Sequence, residues 1–202
     1  MPVCKYCQSR YKPARAMQPG RVCNSRDCQA QFAMDSIDQK KQKQAKQERI
    51  AAKEDRKVIK AKLESMKGIG ELTKEAQREF NAFIRWRDRL AGFLCISSGR
   101  PLDWNGNKVD AGHYRSTGSA PHLRFDERNC HAQSKHDNRH LSGNAVDYRI
   151  GLIQRIGIEA VEALEADQTP RKYTKDQLRE IRDTYRAKAN QLKKQAEEKG
   201  IV

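Results

Sequence analysis

Apolar positions in this chain fall into a few periodic stretches separated by long polar ones. Between Asp38 and Lys67 there is no Pro or Gly and an abundance of Lys, Gln, Ala and Glu, which predicts a helix. Its first half has almost no apolar face. In the second half Ile59, Leu63 and Met66 follow i, i+4, i+7 spacing, so only that half is suited to dock on anything. Gly68-Ile69-Gly70 ends it. From Lys74 to Leu90, Phe80, Phe83, Ile84 and Arg87 share one side of an amphipathic helix, with Thr73 as the expected cap. Ala145 to Ala166 and Thr174 to Lys199 read as two more helices. The last opens with a capping box of Thr174 and Gln177 and carries the stripe Leu178, Ile181, Tyr185, Ala189 and Leu192, a pattern for packing on a neighbour.

The middle of the chain changes period. Short runs on either side of Asn105-Gly106 predict a hairpin whose second strand includes Val109 to Tyr114, unless Gly112 marks a bulge. His122 to Phe125 predicts a further short strand, and Cys130 to about Leu141 a short helix closed by Ser142-Gly143-Asn144.

Charge narrows the classes of partner. Of 202 residues 41 are Lys or Arg and 26 Asp or Glu, a formal +15, which points to a polyanion. The Asp38–Lys67 segment supplies +6 of this and residues 68–150 only +3, so charge speaks for affinity rather than chemistry. No apolar run has the length of a membrane span and no signal-peptide pattern opens the chain. The expectation is a soluble protein of the cytoplasm, with no membrane partner, whose cysteines serve metal rather than disulfides.

Cys4-Lys-Tyr-Cys7 and Cys23-Asn-Ser-Arg-Asp-Cys28 are two short-spaced pairs separated by 15 residues, the pattern of a tetrahedral Cys4 zinc site. Closing both turns on Zn²⁺ folds a segment too short to fold on its own core. Arg10, Lys12, Arg15, Arg21 and Arg26, with Tyr6, Tyr11 and Phe32, suit a knuckle lying on nucleic acid; a knuckle that contacts a partner protein is the alternative.

All five histidines lie between His113 and His140. His113 at the end of one strand, Asn129 after the next, and Asn138 with His140 on a helix follow the order of an HNH (ββα-metal) nuclease site. Phosphodiester cleavage needs a base that is neutral near pH 7, which imidazole provides, and a hard divalent cation to offset developing charge. Asn129 would orient the base. His136 and His140, four apart, share a helix face and form an alternative ligand pair.

The runs NAFIRWRD (81–88), DAGHYRST (110–117), APHLRFDERN (120–129) and YRIGLIQRIGIEAVEALEA (148–166), with Cys95-Ile96-Ser97, His131, Asn138, His140 and SGN (142–144), resemble the lambdoid phage NinG family, also called Rap. The paired cysteines before a Lys-rich helix belong to the same likeness. That resemblance implies a phage-encoded recombination endonuclease acting in the host cytoplasm on branched DNA, Holliday junctions and D-loops in particular, with Mg²⁺ or another divalent cation. It implies His113 as general base, Asn129 as its orienting residue and Asp110, Asn138 and His140 as metal ligands. Arg115, Arg124, Arg128 and Arg139 are the expected DNA contacts. It also implies a second four-cysteine zinc cluster, but the corresponding positions here are Cys95, Ser98, Ser134 and Asp137, and hydroxyls are poor zinc ligands. The expectation is therefore a core held by packing alone. A symmetric branched substrate would suit a homodimer through the last helix or the Lys-rich one, and recombination proteins are further expected partners.

The predicted architecture is α+β, mostly α. It comprises a Cys4 zinc knuckle (1–34), a basic Lys/Gln-rich helical linker (35–70), an HNH-like core with its leading helix (71–150) and a C-terminal helical region (151–202).

Overall fold

A computed structural model describes residues 1–13 and 22–201. The chain divides into two compact units, Met1–Met66 and Lys67–Val202.

In the first unit a cysteine-bearing turn precedes helix α1, Arg26–Met66. This helix starts twelve residues before the charge run that announces it, so it crosses the expected boundary at residue 34 without a break and carries Cys28 in its first turn. Ile59, Leu63 and Met66 are exposed along its distal half.

The second unit is built on α2, Ile69–Leu90, which packs along α5, Lys175–Glu198. The stripe on α5 is consumed here: Leu178 is buried with Leu72 and Ala76, and Ala189 with Phe80, Phe83 and Ile84, while Tyr185 stands edge-on to Phe80 at 4.8 Å. Each fully buried side chain of this size contributes about 1.5–3 kcal/mol. The capping box forms, with Gln177 N–H donating to Thr174 Oγ1 and Thr174 N–H to Gln177 Oε1. Thr73 does not cap α2. Gly68 stands at that cap, and Thr73 lies inside the helix, its hydroxyl bonded back to the Ile69 carbonyl at 2.8 Å.

Against α2 packs a two-stranded antiparallel sheet, β1 (Val109–His113) and β2 (Cys130–Ser134), with Val109 opposite Ser134 and His113 opposite Cys130. Three expectations change here. The Asn105-Gly106 turn joins no hairpin; Asp103 Oδ1 accepts from Asn105 N–H and closes a side-chain turn instead. His122–Phe125 is not a strand, because Pro121 opens a 3₁₀ turn, Pro121–Leu123. Cys130–Ser134 is a strand rather than a helix start, buried on both faces and so lacking alternation. One π-helical turn, His136–His140, follows it. Strand, loop, strand and helical turn thus occur in the expected order, the first strand where it was expected, the second at Cys130–Ser134 and the turn in the later half of the expected helix.

Gly112 pairs in regular register with His131, so it marks no bulge; a Cβ there would collide with Gln133 Oε1. The predicted helix 145–166 breaks at Gly157, whose φ of 84° suits glycine, into α3 (Ala145–Ile156) and α4 (Ile158–Ala166). These cover a second apolar cluster of Ile96, Ala120, Leu123, Tyr148, Leu152, Val161 and Leu164. Asp88 of α2, fully buried, joins the layers: it accepts from Ala132 N–H of β2 at 2.6 Å and faces Arg87 and, from α3, Arg155.

Candidate functional site

The amino-terminal cysteines converge. The turn after Cys4 is closed by Gln8 N–H donating to the Cys4 carbonyl and by Cys4 N–H donating to the Ser9 carbonyl, while Cys28 arrives on the first turn of α1. The four sulfurs of Cys4, Cys7, Cys23 and Cys28 lie within 4.8 Å of one another, with Cys7 and Cys23 3.7 Å apart. Tetrahedral Zn–S bonds of about 2.3 Å place sulfurs on the order of 3.8 Å apart, so the set fits zinc. Backbone N–H groups, that of Cys23 first, pull the Cys4 thiol down to about 6, and burial pushes Cys28 up to about 12. Around them Tyr6 donates to Asp35 at 2.7 Å and packs with Tyr11 and Phe32. Arg15 and Arg21 lie outside the described residues.

In the second unit Asp110 of β1 meets the π-helical turn. Asn138 Nδ2 donates to Asp110 Oδ2 at 3.0 Å and Arg139 Nε at 2.8 Å. Burial raises the Asp110 carboxyl, but these two donors outweigh it and hold it below the ordinary range. His140 does not join them. It is exposed, tilted against the His136 ring at 5.6 Å between centroids.

His113 lies three residues along β1 from Asp110 and on the opposite face, beside Phe80. Its Nε2 is 3.0 Å from the Arg124 carbonyl, which only accepts, so Nε2 carries the proton and the unprotonated Nδ1 faces Cys130 Sγ at 3.6 Å. Burial keeps this imidazole neutral, lowering its pKa. Among the described residues Asn129 makes no hydrogen bond to this ring. Fully buried, Asn129 accepts from Arg115 N–H and donates to the Arg115 and Leu123 carbonyls, pinning the loop between the strands.

The four positions that the resemblance assigns to a second zinc cluster do come together, through hydrogen bonds. Ser134 N–H donates to Cys95 Sγ at 3.2 Å; the Cys95 thiol and the Ser134 hydroxyl donate to Asp137 Oδ2 at 3.2 and 2.7 Å. Burial raises the Asp137 carboxyl, while bonds from Ser134, Cys95 and Ser98 more than offset it. One thiol, one carboxylate and two hydroxyls do not suit structural zinc. Packing alone does not hold this corner either; a polar cluster does.

A family model described as Bacteriophage Lambda NinG protein matches residues 2–197. The chain belongs to the NinG family. Over 122 residues it is 47% identical to Protein ninG of Salmonella phage P22 and to that of Escherichia phage 933W, covering 59% of this chain and 57% of each relative. It is 45% identical to Protein ninG of Escherichia phage lambda, over 59% of this chain and 56% of that one. The chain thus spans little more than half the length of the curated NinG relatives it matches. No solved structure matches it. No helix among the described residues is long and apolar enough to cross a membrane.

The arginines of this NinG chain divide differently from expectation. Arg115 donates to the carbonyls of Leu164, Glu165 and Asp167 and closes the end of α4, while Arg124 is held by Gln77 and the Thr117 carbonyl. Both are committed inside the fold, because the loop they flank must be tied to α2 and α4. Arg128 and Arg139 are exposed, paired with Asp126 and Asp110. Arg85 and Arg89 were not among the expected contacts, yet among the described residues no hydrogen bond or ion pair holds either guanidinium. Their four-residue spacing around Trp86 was the available signal.

Proposed function

We propose that this chain is a metal-dependent, structure-selective endonuclease of phage recombination, working in the host cytoplasm on branched DNA such as Holliday junctions and D-loops. What carries the reading is the 3.0 Å approach of Asn138 to Asp110, two oxygen-bearing side chains brought from a strand and a helical turn. Asp110 and Asn138 would hold Mg²⁺ or a similar cation, with exposed Arg139 swinging from Asp110 to phosphate. Such a cation supplies positive charge against the charge developing on the phosphodiester. His113, neutral, accepts a proton from water, and the Arg124 carbonyl sets its tautomer. The Cys4 knuckle takes Zn²⁺, and the basic α1 adds affinity that depends on shape and backbone charge rather than sequence. Since the α5 stripe is spent on α2, a homodimer would form through the apolar positions of α1. Recombination proteins remain further proposed partners.

A second reading, a branched-DNA binder that does not cut, is favoured by one observation: His113 and Asp110 face opposite sides of β1, and Nδ1 looks onto Cys130. One experiment separates the two. A synthetic four-way junction is incubated with Mg²⁺ and the full chain, beside Asp110→Asn and His113→Ala. The nuclease reading expects cleavage by the unsubstituted protein, reduced about 10²-fold or more in both variants, with binding retained. Binding by all three and cleavage by none would leave the binder.

A further inference from the structure

The cleft beside β1 carries a chemistry that the site above does not use. Its hollow of about 260 Å³ is lined by Arg85, Trp86 and Arg89 of α2 and by Trp104, Asn107 and Val109. The Asp103 side-chain turn and Gly106, at φ 67°, present Trp104 across from α2. The Arg89 guanidinium lies over both indoles, 5.2 Å from the Trp86 centroid and 5.9 Å from that of Trp104. Among the described residues no carboxylate is in contact with it. Arg85, half-buried, has none there either: the carboxylate whose charge it feels, Asp110, directs its oxygens to Asn138 and Arg139. A desolvated cation without a counter-charge is unfavourable unless something anionic completes it. Two indoles beside two guanidiniums that no carboxylate neutralises suit a ligand with a π-face and a negative charge, which is a nucleotide whose base is not paired. Arg85, which lines the cleft, lies close enough to the Asp110 carboxylate to feel its charge, which relates the cleft to the proposed metal ligands.

We propose that this cleft binds an unpaired nucleotide of single-stranded DNA, stacking its base on Trp86 or Trp104 and holding its phosphate with Arg85 and Arg89. The inference rests on the DNA reading above and adds a single-strand specificity to it. A D-loop carries such nucleotides on its displaced strand and continuous duplex does not, so the cleft would favour branched DNA that has a single-stranded part, without reading sequence.

Both tryptophans of the chain line this cleft, so intrinsic tryptophan emission reports on it alone. The full chain is titrated with a fluorescently labelled short oligothymidylate, with a duplex of equal length and with oligouridylate, following label anisotropy and tryptophan emission together. The expected result is emission quenched in step with oligothymidylate binding and quenched less by duplex. Trp104→Ala should weaken binding about tenfold, with Trp104→Phe restoring most of it. Arg85→Gln and Arg89→Gln should each lower the salt dependence by about one counterion. An unchanged thermal midpoint in the variants shows that they fold. Anisotropy that rises while emission and the variants' affinities stay unchanged overturns the cleft and leaves DNA binding elsewhere. Tighter binding of oligouridylate overturns the assignment to DNA. No anisotropy change with any nucleic acid overturns both the cleft and the DNA reading.

Discussion

The buried thiol of Cys95 donates to Asp137 Oδ2 at 3.2 Å, joining two turns that are 42 residues apart in the chain. The same carboxylate oxygen takes the Ser134 hydroxyl, and Ser134 N–H points at Cys95 Sγ, as backbone amides do at metal-bound thiolates. The cross-link that the family resemblance assigns to a metal is made here by one acceptor shared among donors.

The chain should therefore bind one zinc, at Cys4, Cys7, Cys23 and Cys28, and none at this corner. Metal released on thiol modification should count one per chain, and the combined substitutions Ser98→Cys, Ser134→Cys and Asp137→Cys should raise it to two. Asp137→Ala leaves the Cys95 thiol and the Ser134 hydroxyl without their acceptor, at a cost of about 1–3 kcal/mol in urea unfolding. A second zinc in the unsubstituted protein would contradict the assignment.

Asp88 is the counterpart of that corner further along the same edge of β2, where it takes Ala132 N–H as Cys95 takes Ser134 N–H. It is wholly buried, receives Ala132 N–H at 2.6 Å and stands against Arg87 at 2.7 Å and Arg155 at 3.6 Å. Removing the carboxylate leaves two guanidiniums and a strand amide facing apolar surroundings. Asp88→Ala should therefore destabilise by about 3–5 kcal/mol. Asp88→Asn, which keeps an acceptor for Ala132 N–H, should lose less. Thermal unfolding read by tryptophan emission, confined to residues 67–202, checks both.

What was legible in the sequence follows from which forces are local. The capping box at Thr174, the α2 and α5 stripes and the Gly68 break depend on spacing within one helix, and all are present. The cysteine pairs also announce their meeting, because each needs one turn. The strands did not, since β2 is buried on both faces and its partner lies 17 residues upstream where His113 pairs with Cys130, rather than across Asn105-Gly106. Side-chain partners were the least legible. Nothing local says that Arg115 will close α4, that Asn129 will hold the loop rather than His113, or that Arg85 and Arg89 will be left without carboxylates. Those outcomes depend on which elements pack together.

Acid sensitivity should come from His131 before the carboxylates. The ring is buried, with Nδ1 accepting from Arg87 Nη2 at 2.9 Å and Nε2 donating to the Arg128 carbonyl at 3.1 Å. Burial, with Arg87 beside it, pushes its pKa down from 6.5 to about 4. Between those values the unfolded chain takes up a proton that the native ring refuses, so stability is full above 6.5 and falls as pH drops towards 4, by about 3 kcal/mol at most. His113, also lowered by burial, acts in the same direction. Asp110 and Asp137, held below the ordinary carboxylate range, weaken the fold only at still lower pH. Urea midpoints at about pH 7 and about pH 4.5 isolate the histidine window. His131→Gln, which can accept from Arg87 and donate to Arg128 without titrating, should flatten the fall. An equally steep fall in that variant would assign the sensitivity to another group.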